Sequence, residues 1–325
     1  MKIVITFILC CILISCNSNK QQQNNISQYK EIIDSISEYH GENSPGEWPR
    51  SITVSDEHRN WITGEKTKVT FNYTIPAKPM RIIPQSIGIA EILWAIVPRE
   101  RIIAVHSVMK DKNISVLSNQ ITMPTFQSQE TEKILSLNPD IVFVSSYSHP
   151  DFKKVLKDAN ILVVELGDAN TIEKIYEQIN LLGYIVGEEG NAKKLCDTMK
   201  NIIASYEQTK LRQETVLSYS PFYKTIAGYN TTFDSVCNAL HIENLATKHN
   251  IEGFTRVEAE WILLHNPNNI IVTTEEEKKA IENDILLKES IAVKTNKIIV
   301  IPSQYLTCVS QFICLTIHAL SSSMQ

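Results

Sequence analysis

Glycine is scarce in this chain, ten in 325 residues. No glycine-rich run of the kind that cradles phosphate is present, which excludes a P-loop or a dinucleotide fingerprint. A basic excess is missing too. Lys and Arg number 31 against 36 Asp and Glu, for a net charge of −5, and the two signs are intermixed. A nucleic-acid partner calls for clustered positive charge, so that class is excluded. The sequence has no GxSxG elbow and no HExxH pair, and its eight histidines are scattered. Serine-hydrolase, zinc-protease and direct metal-ion sites therefore lack their residues. CxxC and Cys/His spacings that would hold zinc are also absent. What remains is a chain with 43% hydrophobic residues, long enough for two domains around packed cores.

The start reads as an export signal. Met1-Lys2 precedes the apolar run Ile3–Ile14, too short for a lasting membrane span. Leu13-Ile-Ser-Cys16 resembles a bacterial lipobox, in which Cys16 carries lipid. The polar stretch Asn17-Ser-Asn-Lys-Gln-Gln-Gln-Asn-Asn25 then serves as a tether. Four cysteines lie beyond it: Cys196, Cys237, Cys308 and Cys314. In an oxidising compartment a Cys237–Cys314 disulfide is one expectation, because both fall on helices that would flank one sheet. Buried free thiols are the other.

Two stretches say nearly the same thing. Glu132-Lys-Ile-Leu-Ser-Leu-Asn-Pro139 runs into Asp140-Ile-Val-Phe-Val144. Glu260-Trp-Ile-Leu-Leu-His-Asn-Pro267 runs into Asn268-Asn-Ile-Ile-Val272, 128 positions further on. Each spacing predicts a short helix stopped at Asn-Pro, since proline cannot continue a helix and pushes its predecessor toward extended backbone. Each then predicts a β-branched strand buried on both faces. The repeat implies two lobes of one design, each with an acid early in an equivalent helix. Thr255 and Glu258 fit a capping box ahead of the second copy.

Around these units the order is an export signal over 1–16, a tether over 17–28 and an extension over 29–78 with a helix near Tyr29–Tyr39 and two β-rich runs. A first lobe over 79–187, a connecting helix over 188–211 and a second lobe over 212–325 follow. Strands alternating with helices predict α/β lobes, each a mostly parallel sheet flanked by helices. Arg101–Val105 reads as one of the strands. In the connecting helix, Ala192, Leu195, Cys196, Met199, Ile202, Ile203 and Tyr206 share one face over roughly 35 Å. That is a stiff spine between the halves. The last helix, with Phe312, Ile313, Leu315, Ile317 and Leu320, reads as apolar on one face.

The lipobox, Arg81-Ile-Ile-Pro-Gln-Ser86, Glu91-Ile-Leu93, Met123-Pro-Thr-Phe126, the Glu132 unit, Asn244-Leu-Ala246 and the Glu260 unit occur in an order that resembles the solute-binding proteins of ABC importers for iron complexes, haem and vitamin B12. The resemblance implies two α/β lobes joined by a rigid helix, small lobe movements, and a ligand held between the lobes. A ferric siderophore, haem or cobalamin is the implied cargo, with no resident cofactor. The implied partners are a permease dimer with its ATPase, docked through Glu132 and Glu260, and a membrane reached through the lipid anchor at the cell envelope. Loops at the carboxyl ends of strands should line the site. Those loops hold Ser86, Phe126, Gln127, Tyr147 and His149 in the first lobe, and Tyr219, Tyr223, Tyr229, Phe254 and Tyr305 in the second. Phe126 and Tyr305 fall where the resemblance implies aromatic walls. The competing readings are a surface adhesin and an exported α/β hydrolase.

Overall fold

The computed structural model describes residues 27–41, 46–59, 66–128, 130–167, 169–207, 209, 211 and 214–325. The expected signal, Cys16 and the tether up to residue 26 lie outside them. No helix among the described residues is long and apolar enough to cross a membrane.

The extension holds a helix α1 over 27–37 and an antiparallel pair, β1 (Arg50–Arg59) with β2 (Lys66–Ile75), in register from Arg50↔Ile75 onward. Alternation does its usual work there. Ile52, Val54 and Ile75 point inward, while Thr53 and Asn72 bond across the outer face at 2.7 Å.

The first lobe contains β3 (Ile82–Pro84), α2 (Ile87–Ile96), β4 (Val105–His106), β5 (Thr125–Phe126), α3 (Thr131–Ser136), β6 (Ile141–Ser145), α4 (Pro150–Asp158), β7 (Leu162–Leu166) and α5 (Ile172–Val186). Its strands run parallel in the order β3-β6-β7. The β4–β5 pair is parallel too, and an Ile82–Ile102 bridge ties Ile102 to β3. Only part of the expected Arg101–Val105 strand forms. Arg101 turns inward instead, where its guanidinium donates to the carbonyls of Pro79 and Val186 and to Glu188 Oε1 at 2.5 Å. Satisfying a buried cation outweighs extending the strand.

Helix α6 (Glu189–Glu207) follows, about 28 Å long at 1.5 Å per residue. Ala192, Leu195, Cys196, Met199 and Tyr206 are buried along it, and Ile202 and Ile203 pack half-buried on the same core. The second lobe contains β8 (Thr215–Ser220), β9 (Thr225–Ala227), α7 (Thr232–Ala239), β10 (Glu243–Asn244), α8 (Leu245–Lys248), β11 (Phe254–Arg256), α9 (Ala259–His265), β12 (Asn269–Val272), α10 (Glu275–Asn283), α11 (Ile291–Lys294), β13 (Ile298–Val300), α12 (Ser303–Leu306) and α13 (Ile313–Met324). Its sheet runs β11-β9-β8-β12-β13, with β10 beside β8.

The repeated unit is the same object twice. β6 lies between β3 and β7, and β12 between β8 and β13. Both strands are buried along their whole length. Asn138 and Asn266 end their helices with φ of 44° and 47°, a left-handed stop asparagine tolerates. The next equivalent pair also matches. Asp140 accepts the amides of Met80 and Arg81 at 2.7 and 2.9 Å, and Asn268 accepts the amide of Thr215 at 2.9 Å. In each lobe that side chain pins the start of the neighbouring strand.

Three expectations need correction. Helix α13 is buried nearly all round, Thr316, His318 and Ser321 included, because α6, α7, α12 and Tyr29 of the extension pack around it. Cys237 on α7 and Cys314 on α13 are free thiols, both buried in one core as small apolar groups. Burial pushes the Cys314 thiol up to about 12 and that of Cys237 well above its usual value. The Thr255–Glu258 capping box does not form. Glu258 pairs with Lys224 at 2.5 Å, and the Thr255 hydroxyl donates to the Glu252 carbonyl.

Candidate functional site

In the first lobe, three strand ends supply a rim. After β3, Ser86 caps α2 by accepting the Ile89 amide at 3.4 Å. After β6 the chain turns at Ser145–Ser148. The Ser148 hydroxyl accepts the Ser145 amide and donates to Gln85 Oε1 at 2.8 Å, which links two strand ends. Tyr147, 62% exposed, stands out from this turn, and His149 caps α4 beside it. At the paired ends of β4 and β5, His106 accepts the Val108 amide at Nδ1, so its Nε2 carries the proton and donates to Ser128 at 3.0 Å. Partial burial lowers the His106 pKa, which favours the neutral ring. Gln127 is exposed at the same strand end, and its amide donates to Glu130.

The second-lobe rim is more apolar. β8 and β9 form a hairpin whose turn carries Phe222 and Tyr223, 62% and 77% exposed. β11 pairs with β9 in the register Phe254↔Ala227 and Arg256↔Thr225, which sets Phe254, 74% exposed, and Arg256 on the strand next to that turn. Lys224 is engaged by Glu258, whose carboxyl it holds below the usual range. These short strands were expected to be aromatic-rich loops. Alternation over three residues is too little signal to read.

Three expected residues do not line a rim. Phe126 is 1% exposed, packed in the first-lobe core with Val142, Val144 and Phe152, and edge-on to His106 at 5.7 Å. Tyr219 is 5% exposed in the second-lobe core with Leu217 and Ile270. A strand-end position says nothing about which face a side chain takes, and both face inward. Tyr305 is covered by Tyr29 of the extension, stacked at 5.3 Å. Truncating Phe126 to alanine is therefore expected to cost about 3–5 kcal/mol of stability through the cavity it leaves. Denaturant unfolding reads this directly. A loss under about 1 kcal/mol would mean that the ring is not part of the core.

The lobes meet where the segment ahead of α5 touches the start of α7. Asn170 Nδ2 donates to the Asn230 carbonyl at 2.9 Å, and the Ile172 amide to Ser235 Oγ at 3.0 Å. A groove of about 660 Å³ runs along this junction between α5, α6 and α7, and Tyr176, Lys200, Tyr229, Asn230 and Asp234 line it. Of the expected site residues, Tyr229 alone lies there. Among the described residues no cluster of three or more His, Cys, Asp or Glu could hold a metal ion.

Glu132 and Glu260 sit in the first turns of α3 and α9, both exposed, neither with an ion-pair or hydrogen-bond partner among the described residues. The arrangement presents exposed aromatic rings on both lobes and one exposed glutamate in each copy of the repeated unit.

Comparison with known proteins follows the same lines. The family model described as periplasmic binding protein matches residues 88–305. A curated protein of Bacillus subtilis (strain 168), an uncharacterized ABC transporter substrate-binding lipoprotein, is 30% identical over 179 residues, which is 51% of this chain and 56% of that relative. The match thus spans a little over half of the relative's length. Among solved structures, a "possible iron-binding (periplasmic solute-binding) protein" from Staphylococcus epidermidis superposes with a TM-score of 0.67 at 22% identity, covering 76% of this chain and 99% of its own. A periplasmic heme-binding protein from Roseiflexus gives 0.64 at 18%, covering 75% and 97%. A periplasmic vitamin B12 binding protein from Vibrio cholerae gives 0.59 at 15%, covering 77% and 98%. These likenesses establish the shared fold. They also leave about a quarter of this chain outside the shared frame.

Proposed function

This chain belongs to the periplasmic binding protein family, and from that premise we propose that it is the substrate-binding lipoprotein of an ABC importer. It takes an iron complex (a siderophore or haem) or cobalamin between its lobes and hands it to a permease dimer driven by its ATPase. It binds and delivers without catalysis. The observation that carries this reading is the pair of exposed glutamates, without partners among the described residues, at the same place in two copies of one helix–strand unit. A protein that docks on a two-subunit permease needs one contact per lobe, and two separated charge contacts fix orientation. The lipoprotein name of the Bacillus relative supports envelope anchoring through Cys16.

The rims favour a large flat cargo. Tyr147, Phe222, Tyr223 and Phe254 present aromatic faces. Few cations are free for an anionic siderophore: Lys224 is tied to Glu258, which leaves Arg256, Lys110 and Lys112. Haem would draw an axial ligand from Tyr147, His149 or Tyr223, all exposed. His106 has both ring nitrogens engaged.

A visible spectrum of protein purified from its native host, followed by thermal shifts against haem, cobalamin and several siderophores, tests the reading. A tight ligand raises the melting temperature by mass action. No shift with any of them would instead favour an adhesin. The double variant Tyr223→Ala, Phe254→Ala is expected to weaken the ligand found by at least about tenfold, roughly 1.4 kcal/mol. Its ligand-free melting temperature should stay unchanged, since both rings are already in water. An unchanged Kd removes this rim from the site.

A further inference from the structure

The first-lobe and second-lobe ends of the spine are both gripped by a helix that lies ahead of residues 88–305, the stretch the family model matches. Helix α1 lies antiparallel along α6. At its start, Gln28 Nε2 donates to the Tyr206 hydroxyl at 3.3 Å, near the end of α6. Tyr29 stacks on Tyr305 of α12 and meets His318 of α13 edge-on at 4.5 Å. His318 Nδ1 is in turn 2.8 Å from the Tyr206 hydroxyl. These partners belong to the second lobe and the spine. Midway, Ile32 and Ile36 are buried in the core shared by α2, α5, α6 and α13. At its far end the Ser37 carbonyl accepts from Arg99 Nη2 at 3.1 Å, and Arg99 itself lies over the Trp94 ring at 4.0 Å. Tyr39 meets Asn191 at the start of α6. Arg99 and Trp94 belong to the first lobe, and Asn191 to the spine.

We propose that α1 is a strap across the lobe junction, a second helical tie beside α6 that limits how far the lobes move apart or twist. One helix between two bodies resists bending but still lets them rotate about its axis. A second helix alongside, held at both ends, removes that freedom, because any rotation must break the contacts of one end. Eleven helical residues are too few to hold their shape alone in water, so α1 is ordered by the lobes it joins. The strap does not depend on what the protein carries.

Spin labels on Lys157→Cys in α4 and Lys279→Cys in α10 test it in the full chain. Both positions are exposed, and the four described native cysteines are buried. Pulsed spin-resonance distances are recorded with α1 intact and with Asp34→Pro, which breaks the helix at an exposed position without touching its packed face. The expected result is one narrow distance distribution with α1 intact and a distribution at least twice as wide in D34P, together with lost hydrogen-exchange protection over 27–37. Unchanged width in a chain whose 27–37 amides have lost protection overturns the proposal. If D34P does not fold, or keeps those amides protected, the chain lacking residues 27–37 takes its place against the same two outcomes.

Discussion

Reversing Glu132 and Glu260 together to lysine is expected to lower uptake by tenfold or more while leaving ligand affinity within about twofold. The two carboxylates are exposed and lack partners among the described residues, so their replacement removes no internal bond. A single exposed ion pair is worth only ~0.2–1 kcal/mol. Reversal does more than delete that term, because each knob then repels the cation it met, and steering of the encounter changes sign as well. Each single reversal should give a partial loss, and the pair should exceed either. Uptake in cells or in vesicles carrying the importer, set beside the dissociation constant of the purified protein, checks it. Equal loss of both quantities would point to misfolding. Full uptake by the double variant would remove the docking role.

The repeat behind that prediction was legible because its signals are local. Asn-Pro stops a helix by covalent geometry, and a buried central strand declares itself as an unbroken β-branched run. The spine is equally plain, since periodicity sustained over several turns outweighs chance. What could not be read depends on contacts between distant parts of the chain. Phe126 and Tyr219 sit where a cleft wall was expected, yet their rings turn into the cores. Thr255 and Glu258 have capping-box spacing, but Lys224, brought close by a hairpin, takes the carboxylate. Tyr29 is one aromatic in a polar stretch. Nothing near it in sequence tells that it covers Tyr305, 276 positions away. The bond between Asn170 and Asn230 across the junction is hidden for the same reason.

Glu91 gives the second large effect, one of pH. Its side chain is 2% exposed, on α2, where the first lobe meets the segment between α12 and α13. One hydroxyl from each side serves its carboxylate: Ser115 Oγ at 2.9 Å and Ser310 Oγ at 2.6 Å. Gln311 Nε2 donates to the Glu91 carbonyl at 2.7 Å, and a Cβ on nearby Gly88 would come within 2.9 Å of the Val309 carbonyl, so the two segments are in close contact. Among the described residues no cation faces the carboxylate. The ionisable neighbour is the Cys308 thiol, itself pushed up by burial and so neutral. Two hydroxyl bonds favour the charged form, but loss of water outweighs them, and the pKa rises to about 7. The unfolded chain holds this proton only up to about 4.5. Between those values the folded state binds more protons, so the stability from this group is full below about 4.5 and lost as pH climbs through 7. The span amounts to roughly 3 kcal/mol at 1.36 kcal/mol per pH unit. Glu91→Gln cannot ionise. The difference in unfolding free energy, variant minus parent, should therefore grow by about that amount from pH 5 to pH 8, and denaturant titrations across that range measure it. Parting the two segments would hydrate Glu91 and return its proton, so alkaline conditions should loosen this contact first. A difference that stays flat with pH would mean that the carboxylate is already charged in the folded protein, and that the two serines hold it more tightly than burial opposes it.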